Sequence, residues 1–236
     1  MGLLGFGVEP MKRYAIYFTP RQGGFAEAAA AWLGYDAGTG RAVVQPRVAG
    51  LPRPLADLTA DPRKYGFHGT IKAPFRLADG VTPADLMMAV RALAAHLMPV
   101  EMPGLHMVDL DGFLAFVPDG DPAGLAALAA DVVRSLDPYR AALTAPEMAR
   151  RRPERLTPRQ RDLLAIYGYP YVMEEFRFHL TLSGPMTDAE HTIVAPCAKA
   201  HFAGLVPQPF LLSDICLMGE DASGRFHLMH RYALKD

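Results

Sequence analysis

FHGTIKAPF at Phe67–Phe75 and FHLTLSGPM at Phe178–Met186 are one nine-residue phrase written twice, at an offset of 111 residues (178 − 67). Phe, His, Thr and Pro recur at the same places, Ile71 matches Leu182 and Ala73 matches Gly184. A chain of 236 residues that repeats itself at about half its length points to an internal duplication. Each copy holds a His-x-Thr. In an extended strand, residues two apart share a face, so imidazole and hydroxyl project together while the flanking Phe and the middle residue point behind them. Two such pairs brought together surround one small anion with two imidazoles and two hydroxyls.

The same order of elements follows each phrase. After the first, Thr82 and Pro83 read as an N-cap and first helical residue, Ala84 to Met98 as a helix, and two apolar runs near Leu105–Leu110 and Phe113–Val117 flank Asp111-Gly112, a strong hairpin signal. After the second, Thr187 caps a helix running to about His201, and Pro207–Met218 and Arg225–Leu234 flank a Ser-Gly turn. Ahead of both, RYAIYF at Arg13–Phe18 has the content of a first strand and Phe25–Leu33 that of a helix. Antiparallel hairpins with helices on one side define an α+β fold of two pseudo-symmetric lobes, with antiparallel sheets and outer helices and the His-x-Thr strands facing each other across a cleft. The expected boundaries are an N-terminal extension over 1–11 and a single bilobed domain over 12–236. Its first motif lobe spans about 55–120, an insert about 138–172, and the second motif lobe about 173–236.

Composition bounds the function. Half of the residues are apolar, ample for a core, and 24 basic against 25 acidic residues give a formal net charge of −1. That balance argues against a general electrostatic grip on nucleic acid or membrane and leaves room for a local basic site. Cys197 and Cys216 have neither zinc-type nor CxxC spacing and read as reduced thiols, which fits a cytoplasmic protein. The opening MGLLGFGVEP is too short to span a bilayer and lacks a basic n-region.

The chemistry lies in the duplicated pair. One neutral imidazole takes a proton from water while a second, protonated one gives a proton to a leaving oxygen. The hydroxyls of Thr70 and Thr181 donate to non-bridging phosphate oxygens. His68, Thr70, His179 and Thr181 are therefore the candidate catalytic set for phosphodiester hydrolysis. No metal is needed by this scheme: His227 and His230 are three apart on a strand, and no other cluster has recognised ligand spacing. Lys72, two residues beyond Thr70, and its counterpart Ser183 are candidates to reach the phosphate. Between the phrases, Ala149 to Arg161 carries six arginines, and Arg150, Arg151, Arg152 and Arg155 are candidates to clamp a second phosphate or polyanion. The competing reading of these arginines is a solvated helix face paired to carboxylates. Tyr17 and Tyr171 are candidates to stack on a base or sugar or to donate a phenolic hydrogen bond.

On these residues the chain resembles the 2H phosphoesterase superfamily, named for two His-x-Thr/Ser motifs, one per lobe, as in the bacterial RNA ligase-like and cyclic phosphodiesterase proteins. The matching triplets are His68-Gly69-Thr70 and His179-Leu180-Thr181. RYAIYF at 13–18, YGFHGTIKAPFRL at 65–77, PEMARRRPERLTPRQRDLL at 146–164 and GYPYVMEEFRFHLTLSGP at 168–185 are similar to a branch of that superfamily associated with phosphonate metabolism. The resemblance implies a bilobed fold and metal- and cofactor-free cleavage of a cyclic phosphodiester, with a phosphorylated ribosyl 1,2-cyclic phosphate as the expected small substrate. An RNA end bearing a 2′,3′-cyclic phosphate is the alternative, and a binding module that keeps the pocket without turnover is the third reading. An RNA enzyme calls for a broader basic track than this composition offers. No membrane partner is expected.

Overall fold

The computed structural model describes residues 11–235; the expected extension over 1–11 lies almost wholly outside the described residues. Elements run in the order β1 (Arg13–Phe18), α1 (Gly24–Leu33), β2 (Tyr35–Asp36), β3 (Arg41–Ala42), α2 (Leu55–Leu58), α3 (Ala60–Arg63), β4 (Gly69–Phe75), α4 (Pro83–Ala94), β5 (Val100–Met102), β6 (Leu105–Leu110) and β7 (Phe113–Pro118). There follow α5 (Ala123–Ser135), α6 (Ala145–Arg150), α7 (Pro158–Tyr167), β8 (Leu180–Thr181), α8 (Asp188–His201), β9 (Phe210–Leu212), β10 (Asp214–Glu220) and β11 (Phe226–Ala233). Local signals were strong where polar caps meet apolar runs. Thr82 and Thr187 each close a capping box, with Asp85 and Glu190, and Asp111-Gly112 turns the β6–β7 hairpin with Asp111 at φ 53 and Gly112 at φ 92.

A seven-stranded sheet in the order β11-β10-β1-β4-β8-β7-β6 organises the molecule, and its ladders are all antiparallel among the described residues. At its centre Gly69 of β4 pairs with Leu180 of β8. These two are equivalent positions of the repeated phrase, and a residue paired antiparallel with its own equivalent lies on a local twofold axis. The axis extends to the short β5–β9 ladder, where Glu101 pairs with Leu211. Outward from the axis, β4-β1-β10 on one side matches β8-β7-β6 on the other, with β11 added at one edge.

This symmetry moves the expected lobe boundaries. The true units are strand-helix-strand-helix-strand: β1 to β6 forms one and β7 to β10 the other, so the Asp111-Gly112 hairpin joins the units instead of sitting inside the first. Each unit gives its last strand to the other half, β6 to β7 and β10 to β1. The two motif strands are accordingly neighbours in one sheet, not partners across a gap.

One sheet face is covered by helices. Phe67, Ile71, Phe178, Leu180 and Leu182 point into that core with Trp32, Leu86, Val90, Leu128, Val132, Val194 and Phe202. The Trp32 indole, fully buried, donates to the Leu182 carbonyl at 3.0 Å and ties α1 to the segment carrying the second motif. Gly69 departs from its repeat partner Leu180 for a steric reason: a Cβ there would lie 2.5 Å from the Phe178 ring. The phrase alternates as a half-buried strand must, apolar residues to the core and His and Thr to the opposite face.

Candidate active site

Continuing the Gly69–Leu180 register one residue each way sets Thr70 beside His179 and His68 beside Thr181, all four on the face away from the helical core. The His68 Coulombic interaction with His179 is the electrostatic trace of that proximity. Each imidazole is held in the same manner. His68 Nδ1 lies 2.9 Å from the Gly66 carbonyl and His179 Nδ1 lies 2.8 Å from the Arg177 carbonyl, in each case two residues upstream. A carbonyl only accepts, so Nδ1 carries the hydrogen, and the neutral ring presents a bare Nε2 to the site. The Thr70 hydroxyl donates to His68 Nε2 at 3.2 Å. His179 Nε2 and Thr181 Oγ1 make no hydrogen bond to the protein among the described residues.

Burial keeps both rings neutral in the free protein. It pushes His68 down to about 4 against the upward pull of the Gly66 carbonyl, and pushes His179 down with the Arg177 carbonyl opposing. Tyr17 stacks on His68 with ring centroids 4.0 Å apart, and Tyr65 lies at 5.7 Å on a tilt. Tyr17 is itself buried, and desolvation raises its phenol well above 10, so it positions His68 and does not reach out to stack on a base. Phe113, at the start of β7, flanks His179 at 5.7 Å. A cleft of about 520 Å³ opens beside His179 and Thr70, lined also by Phe113, Arg177, Tyr169 and Tyr171, with His68 and Thr181 outside its lining. Tyr171, exposed, stands at its rim edge-on to Tyr169.

Several sequence candidates lie elsewhere. Lys72 does not continue the His68–Thr70 row. Tyr17 opposes Thr70 while Ile16 opposes Lys72, leaving Ile71 as the extra residue of a β-bulge that breaks the alternation. Its buried ammonium reaches the Val133 carbonyl (3.2 Å) and Asp137 (3.4 Å) in a second cavity. Ser183 is buried and fully used, accepting from the Leu114 amide at 2.9 Å and donating to the Gly184 carbonyl. Of the arginines, Arg150 and Arg151 line that second cavity, whereas Arg152 and Arg155 are exposed and line neither. They diverge because α6 ends at Arg150 and Arg152 turns to a left-handed φ of 48. Asp137, Phe113 and the Gly66 and Arg177 carbonyls were not singled out by sequence. The carbonyls had one available signal, their shared place two residues before each His.

A duplicated α+β protein, with one His-x-Thr strand per half and both strands side by side at a local twofold axis, is the class that this fold and site define. The chain belongs to the family described as protein of unknown function DUF1045, whose model matches residues 70–227. It is 38% identical over 222 residues to the ribose 1,5-bisphosphate phosphokinase PhnN of Janthinobacterium sp. (strain Marseille), covering 92% of this chain and 49% of that protein. It is 35% identical over 213 residues to the protein of the same name from Laribacter hongkongensis (strain HLHK9), covering 90% and 49%. The chain thus spans about half the length of these relatives. Among solved structures it is similar to E. coli LigT complexed with 3′-AMP (TM-score 0.47, 13% identity, 96% of this chain and 100% of that one). It is also similar to TT0787 of Thermus thermophilus (TM-score 0.45, 14% identity, 94% and 98%). Among the described residues, no helix is long and apolar enough to cross a membrane.

Proposed function

We propose that this protein is a two-histidine phosphodiesterase of the 2H type that opens a small cyclic phosphodiester, a ribosyl 1,2-cyclic phosphate bearing a 5-phosphate. The observation that carries the reading is the pairing of Gly69 with Leu180, which brings both imidazoles and both hydroxyls to one face with each Nδ1 tied to a carbonyl. Water attacks phosphorus and loses a proton to one bare Nε2; the phosphorus–O2 bond breaks, and O2 takes the proton of the other, protonated ring. Thr70 and Thr181 donate to the non-bridging oxygens as charge grows there. Proton exchange with solvent resets the pair. The product carries phosphate on C1 and C5 and a free 2-hydroxyl, which makes it a ribose 1,5-bisphosphate, the compound in the name of both PhnN relatives.

The direct test is hydrolysis in excess EDTA of ribosyl 1,2-cyclic phosphates, nucleoside 2′,3′-cyclic phosphates and short RNAs ending in a cyclic phosphate. Turnover of the ribosyl compounds above the others is expected. Preference for the RNA ends would replace this substrate with the alternative one, and binding without turnover would make the site a phosphate-binding module.

The pH dependence follows from the two depressed histidines. Catalysis needs one ring neutral and one protonated, a form most abundant between the two pKa values. One is about 4 and the other lies below the ordinary 6.5. kcat/KM is therefore expected to form a bell with its maximum on the acid side of 6.5, falling below about pH 4 as both rings protonate and falling toward neutrality as both become bare. A bound phosphate anion favours the imidazolium, so the alkaline limb of kcat should lie at higher pH than that of kcat/KM. A kcat/KM plateau extending past pH 8 would contradict the arrangement.

A further inference from the structure

Beyond Tyr169, which lines both spaces, the second cavity measures about 660 Å³ and is lined by seven Lys and Arg side chains but only two carboxylates, Glu147 and Glu220. Three of the cations are already neutralised. Arg13 pairs with Glu220 through two hydrogen bonds, Arg76 grips Glu147 at 3.0 Å through both Nε and Nη2, and Arg140 takes both oxygens of Asp137 beneath the floor. Lys12 donates to the Ala222 carbonyl. Lys72 shares Asp137 with Arg140, and Arg150 and Arg151 have no carboxylate partner among the described residues. Lys72 is almost fully buried, and its ammonium, with three donors, meets the Val133 carbonyl at 3.2 Å, at 3.4 Å an Asp137 oxygen that Arg140 also holds, and the face of the Phe75 ring 5.3 Å from its centroid. Arg151 lies over the Tyr169 ring, 4.9 Å from its centroid, with no carboxylate partner among the described residues. Arginines at the end of a helix such as α6 are expected on electrostatic grounds alone. Lys72 adds a cation from a different element, a strand whose bulge aims it into the same space.

We propose that this cavity is the subsite for a second phosphate on the same substrate molecule, with Lys72 at its floor and Arg150 and Arg151 at its mouth. The proposal rests on the cyclic-phosphodiester reading of the neighbouring cleft. Ala73, Tyr169 and Val172 line both spaces, and Lys72 stands two residues from Thr70, about 7 Å along the strand. A sugar ring with one phosphate at each end bridges that separation. A phosphate monoester supplies two negative charges to a site with surplus positive charge, and guanidinium forks match its oxygens. The subsite thus selects for a phosphorylated cyclic diester and fixes which end of the pseudo-symmetric site each part of the substrate occupies.

The test compares kcat/KM for ribose 1,2-cyclic phosphate with and without a 5-phosphate, in the wild-type protein, in Lys72→Met and in Arg150→Gln/Arg151→Gln. The wild type should favour the phosphorylated compound, and the ratio should fall about 10- to 100-fold for each charge-assisted partner removed. Asp137 keeps Arg140 as its partner in Lys72→Met, and the two arginines are at the surface, so thermal melts should show both variants folded. A ratio within twofold of wild type in both variants overturns the subsite. Should the wild type turn over neither compound, the proposed reaction fails separately, and titration with ribose 5-phosphate decides the subsite. Binding weakened by the cavity variants and kept in His68→Ala supports it; binding that is absent, or weakened only by His68→Ala, overturns it.

Discussion

His68→Ala and His179→Ala are each expected to lower turnover of the cyclic phosphodiester by about 10²–10⁴-fold while the protein stays folded. The loss is chemical, since neither ring supports the helical core: both lie on the opposite sheet face, and their ring hydrogen bonds run to the Gly66 and Arg177 carbonyls and the Thr70 hydroxyl. His68→Ala also gives up stacking on Tyr17, worth about 0.5–1.5 kcal/mol for an aromatic pair, so a small fall in Tm is expected there and a smaller one at His179, whose ring meets Phe113 at 5.7 Å on a tilt. Acid and base act in one step, so the double variant should be little worse than the worse single variant, far from the product of the two losses. Rapid-mixing turnover with a melt of each variant checks this. Near wild-type turnover in either one sinks the two-histidine mechanism.

What the sequence made legible and what it hid divide along the range of the interaction responsible. Thr82, Thr187 and Asp111-Gly112 act on residues within one turn of themselves, and each produced the element expected of it. His-x-Thr was legible because period two is the geometry of a strand, and apolar neighbours on the other face fix which way it turns. Strand pairing is a long-range choice. Similarity between two phrases says that the units are alike, not which strand each unit lends to the other, and the exchange of β6 and β10 is visible only in the order of the assembled sheet. The Ile71 bulge was hidden for a related reason. Nothing in TIKAP marks an extra residue, because the bulge arises from β1 changing register along β4, and the shift between Ile16 and Tyr17 sends Lys72 away from Thr70. The second cavity draws on β1, β4, α6 and the segment around Tyr169, so no local stretch announces it.

Thr70→Val and Thr181→Val should each reduce kcat by about 10²–10³-fold, the scale of losing one donor aimed at developing charge, with a smaller effect on KM. Valine keeps the branched shape on the strand, so packing changes little and the hydroxyl is what is lost. The two positions are not equivalent despite the twofold axis. In the free protein Thr70 donates to His68 Nε2, and a phosphate must draw that hydrogen away before the ring can accept a proton from water; Thr181 has no such prior engagement among the described residues. Thr70→Val therefore frees His68 Nε2 while removing a transition-state donor, and should raise the lower pKa of the kcat/KM profile where Thr181→Val leaves it in place. Thr→Ser at either position returns the hydroxyl on the same face and should restore most of kcat. If valine at both positions raised only KM, the hydroxyls would be holding the substrate and not the transition state, and stabilisation of the growing negative charge would have to come from other donors at the cleft.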